Sequence, residues 1–167
     1  MAGGDPVKPV RRAGIQYAAL PWRLVGRQVQ VLLITSRGTG RWVIPKGWPM
    51  RGLKPHDAAA MEASEEAGVV GEIDEAPIGS YHYVKQLRPG RGMDVQVIVF
   101  PFRVSYQADH WKEHGQRQLE WAPYRRAAMR VAEPALRRLI ADFGDAQTPT
   151  LIARSLRTYR TWRLARA

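Results

Sequence analysis

The chain of 167 residues contains no cysteine. Disulfide bonds, thiolate zinc sites and a cysteine nucleophile are therefore excluded, and any metal must be held by oxygen or imidazole ligands. A reducing cytoplasm is the expected compartment. No apolar run approaches the roughly 20 residues that a membrane-spanning helix needs, so we expect no membrane span. The first 14 residues also lack the hydrophobic stretch of a secretory signal.

Acidic residues are few relative to basic ones. Lysine and arginine number 26 against 15 aspartates and glutamates, which gives a formal net charge of +11. A protein with this charge attracts polyanions, which include nucleic acid, anionic membrane surfaces and phosphate-rich metabolites. Net charge alone does not choose among these partners.

The apolar pattern predicts one α/β domain at 14–148, after a basic, flexible lead-in at 1–13. Strands are predicted at 14–22, 28–35, 42–44, 78–87, 94–104 and 120–121, and helices at 58–67, 133–143 and 150–163. Strands on both sides of a central helix, with helices at the end, indicate a mixed sheet covered on both faces.

Three carboxylates share one face of the helix at 58–67. At about 100° per residue, Glu66 lies about 40° from Glu62, and Glu65 lies about 60° to its other side. The opposite face carries small residues suited to close packing on a sheet, namely Ala60, Ala63, Ser64 and Ala67. Clustered carboxylates repel one another unless a cation neutralises them, and oxygen ligands suit magnesium, which usually accompanies phosphate substrates. From these glutamates alone, a solvent-facing acidic helix is an equally good interpretation.

The run GWPMRGLKPHDAAAMEASEEAGV, from Gly47 to Val69, resembles the Nudix box, G-x5-E-x7-R-E-U-x-E-E-x-G-U, in which U is apolar. The positions in register are Gly47, Glu62, Ala63, Glu65, Glu66, Gly68 and Val69. The preceding WVIPKG and the later pair Glu120–Trp121 are also typical of the family. The resemblance covers roughly 14–140 and implies a Nudix-type α/β/α sandwich with a mixed β-sheet between helices.

Two box positions depart from the pattern. Leu53 stands where the family has a glutamate, and Met61 stands where it has an arginine. In the family these two residues usually pair and brace the loop against the helix, and the arginine can also orient a glutamate. Since replacing a whole buried ion pair by hydrophobes is often tolerated, we expect Leu53 and Met61 to meet in an apolar brace.

The resemblance implies a hydrolase that cleaves a diphosphate linkage with Mg²⁺, or with Mn²⁺ in its place. Glu62 and Glu66 are the expected metal ligands, Glu65 is a ligand or positions water, and the backbone carbonyl of Gly47 completes the shell. All three glutamates are candidate catalytic residues. The general base is left open among Glu65, Glu66, Glu113 and Glu120.

Within the family, the stretches LLITSR, RWVIPKG and SEEAGVVG look closest to the diphosphoinositol polyphosphate phosphohydrolase branch, whose members also cleave dinucleoside polyphosphates. The expected partner is therefore a small anionic polyphosphate. Candidate substrate-binding residues are Ser36, Arg37, Arg41, Lys46, Arg91 and Arg117. Guanidinium forks suit phosphate oxygens. For any single arginine a plain surface charge is the better interpretation, because arginine is abundant throughout the chain.

A binding module that senses a nucleotide or RNA without turnover is the alternative function. Leu53, Met61 and the basic C-terminal segment at 149–167 favour it. Arginines recur in that segment at Arg154, Arg157, Arg160, Arg163 and Arg166. Ile152, Leu156 and Tyr159 form an apolar face, which predicts an amphipathic helix docked on the same domain. Nucleic acid is a possible partner of these arginines but not the favoured one.

Overall fold

A computed structural model describes residues 13–89 and 91–148. Its centre is an eight-stranded sheet. The strands are β1 Ala13–Val25, β2 Gln28–Thr35, β3 Trp42–Val43, β4 Lys46–Gly47, β5 Val69–Ile73, β6 Gly79–Arg88, β7 Arg91–Gln107 and β8 Leu119–Pro123. Strand β1 pairs with β7 in parallel, whereas the other described pairings are antiparallel. The predicted mixed sheet is confirmed.

Helix α1, Pro55–Ala67, covers one face of the sheet. Pro55 suits the first turn because its missing N–H has no intrahelical partner there. The helix ends at Gly68, whose φ of 66° is left-handed and whose N–H donates to the carbonyl of Ser64 at 3.0 Å. Small side chains let the helix approach the sheet closely. The buried stripe runs through Ala59, Ala63 and Ala67, against Leu32, Ile34, Phe100 and Phe102.

The prediction that α1 packs through its small residues is confirmed, with a small rotation. Ala63 and Ala67 are buried as expected, but Ala60 and Ser64 are only half-buried, and Ala59 takes their place. The rotation has a consequence for the acidic face, because it carries Glu66 inward until only 8% of this residue is exposed.

Two helices cover the other face of the sheet. They are α2, Tyr124–Arg130, and α3, at 134–148. Apolar residues of α3 pack on the inner strands, with Leu136, Ile140 and Phe143 in one cluster with Leu20 and Val31. Helices on both faces of a mixed sheet make the predicted α/β/α sandwich.

Three elements were not predicted. Strand β4 has only two residues, β5 follows directly on the turn at Gly68, and α2 has seven residues. Residues 1–12 of the predicted lead-in at 1–13 lie outside the described residues, as does the predicted C-terminal helix at 149–167, and Ala13 begins β1. No helix within 13–89 and 91–148 is long and apolar enough to cross a membrane.

Candidate active site

A cleft of about 780 Å³ opens beside the glutamate face of α1. Its walls come from α1, the segment at 36–41, the segment at 46–50, strand β6 and the segment at 113–117. Charged side chains dominate the lining: Arg37, Arg41, Lys46, Lys85 and Arg117, and Glu62, Glu65, Glu66, Glu113 and Glu133. The three predicted metal-binding glutamates therefore share one cleft with most of the predicted phosphate-binding residues.

Glu62 lies against the backbone of Gly47. A Cβ built on Gly47 would stand 2.7 Å from the Cγ of Glu62 and closer still to its carboxylate, so only glycine permits this approach. Strand β4 holds Gly47 in place because it pairs with Tyr17 of β1. Burial raises the pKa of Glu62, and the neighbouring carboxylates of Glu65 and Glu113 raise it further. Negative charge is thus in excess at this point of the cleft.

Glu66 has both carboxylate oxygens held by donors. Its Oε2 accepts a hydrogen bond from the backbone N–H of Lys46 at 3.0 Å, and its Oε1 accepts one from the guanidinium of Arg117. Burial is the largest effect on this group and raises the pKa of Glu66 to about 7, against the opposing influence of Arg117 and the Lys46 N–H. The Glu66 carboxylate is therefore buried, and its two hydrogen bonds fix its orientation.

Glu65 lies at the edge of the cleft. Its Oε2 accepts a hydrogen bond from the exposed Nζ of Lys112 at 2.8 Å. Its backbone carbonyl accepts the N–H of Glu113 at 3.0 Å, which fastens the segment at 113–117 to α1.

The donor set fits a hard divalent cation, because it consists of three carboxylates and a backbone segment without sulfur or imidazole. The side chains are not yet gathered around one point. Among the described residues, no three acidic or histidine side chains stand close enough together to hold a metal. An arriving cation must therefore draw the glutamates together, and it would compete with the exposed Lys112 for Glu65.

Five of the six predicted substrate-binding residues line this cleft. Ser36, Arg37, Arg41, Lys46 and Arg117 do so, whereas Arg91 does not. Arg91 is the first residue of β7 and lies opposite Arg88 in the pairing of β6 with β7. The structure therefore places Arg91 in the β6–β7 hairpin and not in the lining of this cleft, and its role in substrate binding stays a prediction.

Lysines and aromatic rings line the part of the cleft next to β6. Lys46 Nζ lies 5.3 Å from the ring centre of Tyr83, and Lys85 Nζ lies 4.9 Å from that of Trp48. Burial lowers the pKa of Lys46. Lys46 is therefore a partly buried residue of the cleft wall and not a solvated surface lysine. Lys85 belongs to none of the motifs of the sequence, so its place in the cleft emerges only from the structure.

Two polar residues of the cleft carry no signal in the box. Gln16 is 4% exposed and accepts a hydrogen bond from the hydroxyl of Tyr83 at 2.8 Å. A glutamine inside the apolar strand IQYAAL is the one hint that the sequence offers. Glu133 precedes α3 and pairs with Arg41 at 3.4 Å. Nothing in the local sequence distinguishes it from a surface glutamate.

The profile of the NUDIX domain matches residues 16–143 of this chain. The chain belongs to the Nudix family.

Its curated relatives come from Arabidopsis thaliana. Nudix hydrolase 17, mitochondrial, is 31% identical over 97 residues, which are 58% of this chain and 51% of that protein. Nudix hydrolase 21, chloroplastic, is 34% identical over 97 residues, which are 58% of this chain and 47% of that protein. The chain thus spans about half the length of these relatives.

Solved Nudix structures share the fold. The Ap4A hydrolase of C. elegans in a binary complex superposes with a TM-score of 0.60 at 18% identity, over 81% of this chain and 98% of that one. The dihydroneopterin triphosphate pyrophosphohydrolase of E. coli superposes with a TM-score of 0.62 at 15% identity, over 82% and 99%. At these identities the likeness concerns the fold alone. The resemblance to the diphosphoinositol polyphosphate branch stays a prediction.

Leu53 and Met61 are not buried, contrary to the apolar brace that was expected between them in the Nudix box. Leu53 is 40% exposed and Met61 is 44% exposed, and neither belongs to the two buried clusters of the described core. Met61 lies on the solvent side of α1, since Ala59 and Ala63 occupy the side that packs on the sheet. The two side chains therefore add little of the stability that a buried pair would give.

The Nudix cleft also separates the candidates for the general base. Glu113 lines the cleft, whereas Glu120 does not. Glu120 instead pairs with Arg126 at 3.0 Å and with Arg130. Glu120 is thus a surface ion-pair partner, although its Glu-Trp motif is typical of the family.

Proposed function

We propose that this chain hydrolyses a diphosphate linkage in a small polyphosphate, with Mg²⁺ or Mn²⁺ as the cofactor. Two neighbouring features carry the proposal. The side chain of Glu62 lies directly against the backbone of Gly47, and the buried carboxylate of Glu66 accepts hydrogen bonds at both oxygens. On a plain acidic surface we would not expect one carboxylate to be buried, nor the residue opposite another carboxylate to be restricted to glycine. Both features suit a site for a cation.

Glu62, Glu66 and the Gly47 carbonyl would hold the cation, and Glu65 would join them or orient water. A divalent cation held there would supply positive charge for the diphosphate oxygens and for the charge that develops in the transition state, and it would make a nearby water more acidic. The water oxygen bonds to one phosphorus while the bridging P–O bond breaks. Its proton passes to a carboxylate of the cleft, for which Glu65, Glu66 and Glu113 are the candidates.

The proposed substrates are dinucleoside polyphosphates and diphosphoinositol polyphosphates. Lys46 and Lys85 present ammonium groups for phosphate oxygens, and both lie over aromatic rings next to β6. Trp48 is 39% exposed at the cleft, so it can also offer a face to a nucleobase. This last contact would favour the dinucleoside class.

The test is a phosphate-release screen with diadenosine polyphosphates, diphosphoinositol polyphosphates and nucleoside diphosphate sugars, in Mg²⁺ and in EDTA. We expect turnover in Mg²⁺ that disappears in EDTA and in the variant Glu62→Gln. Glu72→Gln is the matched control, because Glu72 is an exposed glutamate of β5 outside the cleft. Turnover that persists in EDTA, or equal loss in both variants, would refute the proposed site.

A binding module is the second candidate function. It is favoured by the ion pair of Glu65 with Lys112, and by the exposed Leu53 and Met61. Saturable binding of the same compounds by calorimetry, with no turnover of any of them in Mg²⁺ or Mn²⁺, would select this function over hydrolysis.

A further inference from the structure

Arg117 is an almost fully buried arginine between three parts of the fold. Only 6% of its side chain is exposed. Each guanidinium nitrogen donates to a different acceptor: Nη2 to Glu66 Oε1, Nε to Glu113 Oε2 at 2.8 Å, and Nη1 to the carbonyl of Thr35 at 3.0 Å. These acceptors belong to α1, to the segment before β8 and to β2. One guanidinium therefore fixes two carboxylates of the cleft relative to the sheet.

This arrangement differs from that of an arginine that awaits a phosphate. Arg37 shows the contrast, since 61% of its side chain is exposed and its one ion pair among the described residues is with Glu113 at 3.3 Å. If Arg117 turned toward an anionic substrate, two carboxylates would lose their shared counter-charge in a partly buried place. Removal of one partner of a buried ion pair is costly. The contacts of Arg117 therefore favour a role toward Glu66 and Glu113 over the sequence-based prediction that Arg117 binds substrate.

Position 61 of the box, where the family has an arginine, carries Met61 in this chain and offers no guanidinium for that role. Residue 61 lies about 140° around α1 from Glu66, because five residues separate them at about 100° each. Met61 is also 44% exposed. An arginine there would face away from Glu66, toward Glu65 one turn further along. The orientation of Glu66 must come from outside the box.

We propose that Arg117 is the positioning residue of this site, which fixes the Glu66 carboxylate for the cation and holds Glu113 beside it. The proposal rests on the proposed function. Arg117 and the Lys46 N–H each hold one oxygen of Glu66, and together they define the plane of this carboxylate. Each oxygen keeps a lone pair that can face a metal. Metal ligands depend on such supporting hydrogen bonds for their orientation.

The segment that carries Arg117 is itself attached to α1. The N–H of Glu113 donates to the carbonyl of Glu65 at 3.0 Å, and Glu113 pairs with Arg117 four residues later. A displacement of Arg117 would therefore loosen Glu66 and Glu113 together. The effect should be on metal affinity and turnover, and not on substrate affinity alone.

The test uses the full-length variants Arg117→Met and Arg117→Lys. The matched control is Arg126→Met, which removes an exposed, ion-paired arginine outside the cleft. The Mn²⁺ dissociation constant is measured by electron paramagnetic resonance of free Mn²⁺, and folding by melting in EDTA. We expect Mn²⁺ affinity to fall about tenfold or more in Arg117→Met, as is usual for groups that support a metal ligand. Arg117→Lys should recover part of this loss, and the control should stay within about twofold of wild type.

The variant Glu66→Gln separates positioning from general damage. If Arg117 acts through Glu66, Arg117→Met should add no further loss of Mn²⁺ affinity in the Glu66→Gln background. An equal further loss there would overturn the proposal. So would unchanged affinity and kcat in a folded Arg117→Met, or a raised KM with unchanged kcat, which would make Arg117 a phosphate ligand. If both Arg117 variants are unfolded in EDTA, the residue is structural and the proposal is wrong.

The outcome for wild type distinguishes this inference from the proposed function. A wild-type chain that binds no Mn²⁺ and cleaves no diphosphate overturns both. A wild-type chain that binds Mn²⁺ and turns substrate over, while Arg117→Met does so equally well, overturns the role of Arg117 alone.

Discussion

Gly47→Ala perturbs the candidate site without touching a charge. The new Cβ would stand 2.7 Å from the Cγ of Glu62, which must retreat by about 0.7 Å to reach ordinary contact at 3.4 Å. The carboxylate, which is closer, must move further. Magnesium ligands sit at about 2.0–2.1 Å in a demanding geometry, so a displacement of this size removes one of them. We expect cation affinity to fall about 10- to 100-fold, which is about 1.4–2.7 kcal/mol.

The fold should tolerate the same change. The colliding atoms are the far end of a flexible, half-buried side chain that can swing toward solvent. Alanine also reduces the entropy of the unfolded chain, which offsets part of any strain. The melting temperature in EDTA should therefore change little while the Mn²⁺ dissociation constant rises. Gly38→Ala is the control, because no atom lies within 4 Å of its Cβ. Unchanged Mn²⁺ affinity in Gly47→Ala would refute the assignment of Glu62 as a ligand.

Three further predictions concern charge and burial. Glu66→Gln removes a charge from the cleft, so turnover should fall by about 100-fold or more; the amide NH2 would oppose one of the two donors that hold Glu66, so melting in EDTA should also come earlier, and unchanged turnover would remove Glu66 from the catalytic residues. Lys85→Met should raise KM for a polyphosphate several-fold, whereas Arg91→Met should not, because only Lys85 lines the cleft; equal effects in steady-state kinetics would contradict the placement of Arg91. Leu53→Ala and Met61→Ala should each lower the free energy of unfolding in urea by less than about 1.5 kcal/mol, since both side chains are about two-fifths exposed. A larger decrease would support the apolar brace between them.

The parts of the fold that could be predicted are those with a strong local pattern. Helix α1 carries small residues at i, i+4 and i+8, a proline in its first turn and a glycine after its last residue. Strand β2 reads QVQVLLIT, with its apolar residues buried. Strands that form only because a neighbouring strand pairs with them show no such pattern in the sequence. Strand β5 contains Gly71 and follows Gly68, and it forms because β7 continues to Gln107 and pairs with it.

The residues of the site also differ in how far the sequence predicts their place. Glu62, Glu65 and Glu66 lie on one helix, so their spacing predicted that they share a face, whereas Gly47 was assigned to the site through the resemblance to the Nudix box. Arg117 is 51 residues from Glu66, and their contact depends on the position of β8 beside β2. The sequence named both residues but assigned Arg117 to substrate. No local pattern distinguishes an arginine that binds phosphate from one that binds a carboxylate, because the same guanidinium fork serves both.

The net charge of the chain does not describe the charge of the cleft. The chain carries a formal charge of +11, but the cleft is lined by five basic and five acidic side chains. The basic excess lies elsewhere on the chain, in part among the arginines at 154–166. A cleft that is neutral by itself gives a polyphosphate little electrostatic reason to prefer it to the basic surface. Each divalent ion bound by the glutamates would add two positive charges where Lys46 and Lys85 already point into the cleft. Selectivity for a diphosphate would then follow from the metal, and the basic surface would serve the rate of encounter and not the choice of substrate.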